Sequence, residues 1–296
     1  MSSHSVITAH LQLALYALLI STAFPIAAAL GQDYPPVLTT WFRFLIAALG
    51  FALLLRLQNR LHWPGWRSVG RYALISFPIT GFFLLMFVSG ETASALHLGG
   101  LYTGVPIASL ILGHLIWKTP LSKQRLLALF LGALAALWVM TEGHLSRLAG
   151  DWPLGNSIFL LACLLMAVYP MVLRSLYRSE PMMVITGWSM ISGCFWLTLA
   201  ILVMQPQLSL PTYSQWQLII WLAIGTTMFT FFLFKSASIV VGGGSAHAYG
   251  LLTPVLVIGI NAYLEKPLPS LWVIPGIAMI FICLLWILYL DRQHPL

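Results

Sequence analysis

Apolar residues run along this chain in ten stretches of about 20, roughly 10–30, 37–55, 72–89, 94–117, 126–141, 154–174, 182–204, 217–234, 245–264 and 272–290, with short polar segments between them. As a helix rising ~1.5 Å per residue, each is long enough to cross ~30 Å of hydrocarbon. None shows the period-two alternation that the strands of a membrane barrel require. The loops leave no room for a sizeable soluble domain. The pattern therefore predicts an all-α integral membrane protein with ten transmembrane helices, numbered here as spans 1 to 10.

The polar and proline positions within these runs repeat. His97, Gly100, Leu101, Thr103 and Pro106 return as His247, Gly250, Leu251, Thr253 and Pro254, about 150 residues on. Phe24-Pro25 returns as Tyr169-Pro170 at an offset of 145, and Trp41 as Trp188 and Pro120-Leu121 as Pro267-Leu268 at 147. Several matches at nearly one offset indicate a duplicated unit. The halves are 10–141 and 154–290, joined by an extracytoplasmic linker, 142–153, in which Gly143, Gly150, Asp151 and Pro153 mark an exposed loop. Five spans per half is an odd number, so the second copy must enter the membrane in the opposite orientation. Two inverted five-helix repeats point to a transporter with its site between the halves.

Composition sharpens this picture and removes other classes. Charged residues make up 7% of the chain and apolar residues 60%. The net charge of +7 would suit a nucleic-acid partner, but its placement speaks against one. With the N-terminus inside, eleven cations (Arg56, Arg60, Arg67, Arg71, Lys118, Lys123, Arg125, Arg174, Arg178, Lys235, Arg292) fall on inside loops or span ends and two, Arg147 and Lys266, outside. That asymmetry is a topology signal. It places both termini in the cytoplasm of a multi-pass protein in the cytoplasmic (inner) membrane, with the lipid bilayer as partner. The preceding segment lacks Lys and Arg, so Ala27-Ala28-Ala29 reads as part of a mature helix rather than a cleavage site. Cys163, Cys194 and Cys283 lie singly in three spans and read as packing residues without metal-ligand spacing. No Gly-x-Ser-x-Gly, phosphate loop or His-Glu-x-x-His occurs, so no catalytic residue, metal or cofactor is expected.

Candidate site residues are polar groups or helix breakers inside spans. His97 and His247 are equivalent under the repeat and would suit a pair of gates or a proton relay, with a proton or a counter-transported solute as partner. Pro106 and Pro254, like Pro25 and Pro170, each remove a backbone donor and free a carbonyl, which marks the substrate zone at the repeat interface. In span 9, His247, Pro254, Ile258, Asn261 and Glu265 fall on one helical face, and Asn261 is its neutral hydrogen-bonding candidate. Glu265 reads as a charge or cap at the outer interface. Tyr102, Tyr169, Tyr249, Thr226 and Thr227 join the cavity set by span membership and polarity. Arg43, about six residues into span 2, is expected to snorkel outward or to pair with Asp33 or Glu91. Glu91, at the turn between spans 3 and 4, is a solvated charge or a coupling or vestibule residue. Gly100 and Gly104 would allow close helix approach.

Ten spans in two fives, the Trp41-x-Arg43-Phe44 stretch, the prolines of spans 4 and 9, and Glu265 followed by Pro-Leu resemble the drug/metabolite transporter superfamily, specifically its EamA-type permeases. The resemblance covers nearly the whole chain. Trp117-Lys118 departs from it, because members often carry Glu at that end of span 4. The resemblance implies a secondary transporter without ATP hydrolysis, its cavity lined mainly by spans 1, 3, 4, 6, 8 and 9 and opening alternately to either side. It also implies a small-molecule substrate, an amino acid or another small metabolite, with export the favoured direction. A drug or organic-cation exporter of the same fold is the alternative, and an intramembrane enzyme or scaffold a more distant one.

Overall fold

The computed structural model describes residues 3–118, 122–144, 146, 152–241, 246, 248–264 and 266–293. No strand occurs among them. In hydrocarbon every backbone group must be satisfied within the chain, which leaves the helix as the default for each apolar run. Nine of the helices described are long and apolar enough to cross a membrane, and Tyr249–Tyr263 forms a shorter tenth. The spans are Val6–Asp33, Pro36–Leu57, Trp66–Ser89, Ala95–Ile116, Lys123–Met140, Leu154–Leu176, Met182–Met204, span 8 from Tyr213 through Val241, Tyr249–Tyr263, and span 10 from Leu271 through Gln293. Below, the near face is the side on which span 1 begins, and the far face is the opposite one.

The packing follows the duplication. Span 3 packs on span 6 as span 8 packs on span 1, and span 7 packs on span 3 as span 2 packs on span 8. Spans 2 and 7 pair with each other, as do spans 5 and 10. This exchange of partners is what a two-fold axis in the membrane plane produces. Spans 4 and 9 cross at Gly99, where an added Cβ would lie 3.1 Å from Val257 and 3.6 Å from the Pro254 Cα. Gly100 instead faces Met140 of span 5, and an added Cβ on Gly104 meets nothing within 4 Å, so the close approach expected of that pair belongs to Gly99.

The helices are interrupted where the sequence removes or diverts backbone hydrogen bonds. Span 1 breaks at Thr22, between Ser3–Ser21 and Ala23–Asp33, because Pro25 lacks the N–H that would reach Ser21 O. The Thr22 hydroxyl donates to Leu19 O (2.7 Å) and accepts from Trp221 Nε1 of span 8 (2.9 Å), which pins the break in place. Span 4 breaks at Thr103, three residues before Pro106, and in span 9 a 3-10 turn, Tyr249–Leu252, precedes Thr253-Pro254. The fourth expected break is absent, since Pro170 sits inside the unbroken helix Leu154–Leu176. A different one appears in span 8, where Ile224–Phe229 is a π turn without any proline. There Thr226 and Thr227 both donate to Leu222 O at 2.9 Å, and Thr230 donates to Thr226 O at 3.0 Å. Side-chain hydroxyls competing for backbone carbonyls account for the widened turn.

Candidate functional site

A cavity of about 260 Å³ lies in the seam between the halves. Span 1 supplies Tyr16 and Ile20, span 3 Ile79 and Phe83, and span 4 Tyr102, Pro106 and Ser109. From the second half come Tyr169 and Pro170 of span 6, Met182 and Met190 of span 7, Thr226, Thr227 and Phe234 of span 8, and Ala246 and Gly250 of span 9. These residues come from the middle of the membrane and its near half. Among the described residues the wall holds no Asp, Glu, Lys, Arg or His. Its polar atoms are hydroxyls. The Tyr16 and Tyr102 phenols lie side by side, and Ser109 donates to Ala167 O (3.3 Å), one turn before Pro170. A solute of amino-acid size fits this volume, just under the ~300 Å³ at which drug-sized pockets begin.

Toward the far face the cavity ends on rings. Tyr102 lies 5.5 Å from Phe24 and 6.0 Å from Phe82 between centroids. Phe159 lies 6.1 Å from Phe24, edge to face, and 6.1 Å from Phe82. All four are buried, so spans 1, 3, 4 and 6 close the far side with one aromatic cluster. Beyond the rings His97, half-buried in the first turn of span 4, meets Asn156 of span 6, with Nδ1 and Nδ2 3.2 Å apart. Asn156 is fully buried and its Oδ1 has no partner.

Of the residues singled out from sequence, Tyr102, Pro106, Tyr169, Thr226 and Thr227 line the cavity. His97 does not, since it bridges spans 4 and 6 in the far half. Tyr249 is buried and turned away, its hydroxyl 3.0 Å from His10 Nδ1 of span 1. Pro254 lies at the crossing with span 4. Asn261 is half-buried near the far end of span 9, with its Oδ1 unpartnered, and Glu91 is exposed at the turn after span 3. Both are away from the cavity wall. His247, Glu265, Arg147, Asp151 and the glycines at 242–244 lie outside the described residues.

Two cavity residues were not found from sequence, and a third residue that matters was given the wrong surroundings. Tyr16 and Met190 are cavity residues on helices that are apolar all round, and no stripe shows which face turns inward. The third is Arg43, 0% exposed, which neither snorkels nor meets Asp33 or Glu91. Its Nε donates to Thr227 Oγ1 (2.9 Å) and its Nη2 to Thr226 Oγ1 (3.1 Å), with a longer contact to Thr226 O (3.4 Å). The guanidinium carbon lies 3.9 Å from the Phe83 ring centroid, and Nη1 has no partner. Reaching the wide turn of span 8 satisfies part of the cation's hydrogen-bonding demand, which is why it points inward.

The EamA-like transporter family model matches the chain twice, over residues 7–141 and 153–289. The chain is a member of that family of membrane transporters, built as its two-repeat fold. A solved structure described only as "Crystal structure of protein" is similar over 100% of both chains, with a TM-score of 0.73 and 18% identity, a likeness of fold. A search of curated proteins gave no match.

Proposed function

We propose that this protein is a secondary transporter that moves a small organic metabolite, of amino-acid size, across the cytoplasmic membrane by alternating access. The observation that carries this reading is the cavity in the seam, lined by both repeats, wide in the near half and closed by Phe24, Phe82, Tyr102 and Phe159 in the far half. A channel would need a path through both halves. The helix breaks at Thr22, Thr103 and the π turn of span 8 supply bends about which the halves exchange their open and closed arrangements. His97 and Asn156 act as a latch beyond the rings. Export is the direction that the family resemblance favours.

Purified protein in sealed proteoliposomes should exchange a labelled neutral amino acid against an internal pool, and Tyr169→Phe should change the half-saturating concentration while leaving the fold intact. Tyr169 lines the cavity and shows no hydrogen bond to a described residue, so its hydroxyl faces the space a solute would take. Vesicles that show no protein-dependent flux of any solute in a panel of amino acids, nucleosides and organic cations would sink the proposal.

A further inference from the structure

Arg43 is a buried cation for which the described residues provide no anion. Its bonds go to two neutral hydroxyls and one carbonyl, and Nη1 is left over. The carboxylates among the described residues are remote by position: Asp33, Glu91 and Glu142 end or follow spans at the far face, Glu180 pairs with Arg71 at the near face, and Asp291 lies in the last turn of span 10 at that same face. A cation in low dielectric without a counter-ion is costly, and its field reaches well beyond contact distance. The three residues that touch the guanidinium, Phe83, Thr226 and Thr227, all belong to the cavity wall. Arg43 therefore stands one side chain behind a wall whose described residues carry no charge.

We propose that the cavity takes an organic carboxylate with an apolar body, and that Arg43 selects it through the Thr226–Thr227 wall. The inference rests on the transporter reading and names its substrate class. Hydroxyl rotation would let the two threonines donate to a carboxylate while Arg43 supplies the opposite charge behind them. Ile20, Ile79, Met166 and Met190 offer apolar surface to the rest of the solute. The same field repels an ammonium group, so an organic cation without a carboxylate is disfavoured. At the offset of 147 that relates Trp41 to Trp188, the second half has Met190 where the first has Arg43. The cavity is thus polarised toward one end.

The test compares leucine, isocaproate (the carboxylate without the ammonium) and isoamylamine (the ammonium without the carboxylate), together with phenylalanine, hydrocinnamate and phenethylamine. Each is scored by thermal stabilisation of the purified protein and by flux in sealed proteoliposomes. The wild type should favour both carboxylate forms over the amines by about tenfold or more. Arg43→Met copies the residue of the other half and replaces a buried ion by an apolar side chain of similar length, a change that is often neutral or stabilising. It should fold with an unchanged or higher thermal midpoint and lose that preference. Thr227→Val, which keeps the cation but removes one hydroxyl, should weaken carboxylates alone. A wild type that favours amines or ignores charge overturns the inference, as does an Arg43→Met protein with unaltered selectivity, because Arg43 is then only a pin between spans 2 and 8. Charge-blind flux would leave the transporter reading standing without this inference. Arg43-dependent stabilisation by carboxylates with no flux would keep the site and remove the transporter reading. Neither stabilisation nor flux would overturn both.

Discussion

The far and near halves of the same bundle are held by different means. At the far ends of spans 1, 3 and 6 backbones meet through glycine. An added Cβ would lie 2.9 Å from Glu91 N at Gly31, 2.3 Å from Ala27 O at Gly90 and 2.3 Å from Ser89 O at Gly155. The Phe24, Phe82, Tyr102 and Phe159 rings fill the layer below. At the middle of span 4 an added Cβ on Gly104 meets nothing within 4 Å, and in the near half of span 9 one on Gly250 meets only the Tyr102 ring, at 3.7 Å. Glycine thus brings backbones together at the far ends of spans 1, 3 and 6 and leaves space at Gly104 and Gly250. The halves of the chain are related by sequence, yet the faces of the membrane are not equivalent in this conformation. One side is packed, and the cavity lies on the other.

The ring layer gives the largest expected effect. Phe159→Ala removes the ring that meets both Phe24 and Phe82, and loss of a buried phenylalanine costs about 3–5 kcal/mol where the site cannot collapse. The thermal midpoint should fall. Cys163, one turn further along span 6 and 5% exposed, should then react faster with a maleimide in a Cys194→Ser background. An unchanged rate would mean that the far side is closed by the glycine contacts alone. A smaller effect is expected at those contacts. Gly155→Ala drives a methyl into Ser89 O and the Thr92 hydroxyl that accepts from Gly155 N, an overpacking that costs about 1–3 kcal/mol. Gly104→Ala should be neutral or gain up to ~1 kcal/mol, as glycine is the weaker helix former. Equal losses in the two variants would erase the difference between the faces.

Span number, duplication and inverted orientation were legible in the sequence because hydrocarbon thickness and the parity of five fix them through length alone. Pro106 was legible as a helix breaker and Tyr102 and Tyr169 through span membership and polarity, and these signals led to the cavity. Arg43 shows where such reading runs out. Six residues from a span end, an arginine is long enough to reach water, and only the fold shows that span 2 instead presents it to span 8. The π turn that receives it carries no proline, so its signal is the pair Thr226-Thr227, which many ordinary helices also contain. The two histidines drew attention through rarity and symmetry, but rarity does not say how far along its helix a residue meets the cavity. His97 proved to be a far-half contact with Asn156. Pro170, by contrast, looked like a break and is accommodated within a continuous helix.

The smallest effect concerns what ties the open side together. At the near face Arg71 of span 3 donates to Leu176 O at the end of span 6 (3.0 Å) and forms an ion pair with Glu180 in the following loop. Burial alone would raise the Glu180 carboxyl above its ordinary 4.5, but the hydrogen bond and charge of Arg71 outweigh it, and the net shift is downward. A carboxyl held lower in the folded state stabilises it fully above the ordinary value and loses that contribution as pH falls through the lowered one. The pair is partly exposed, so its worth is about 1 kcal/mol or less. Between about pH 5 and pH 3 the wild-type thermal midpoint should drop more than that of Glu180→Gln, and the two curves should converge at the acid end. Added salt should narrow the gap at neutral pH, because exposed charges are screened within ~10 Å at 0.1 M. The loss caused by Phe159→Ala should not depend on salt, since ring packing is not electrostatic. A salt-dependent far side, or a near side indifferent to both pH and salt, would show that the same kind of force holds the two faces.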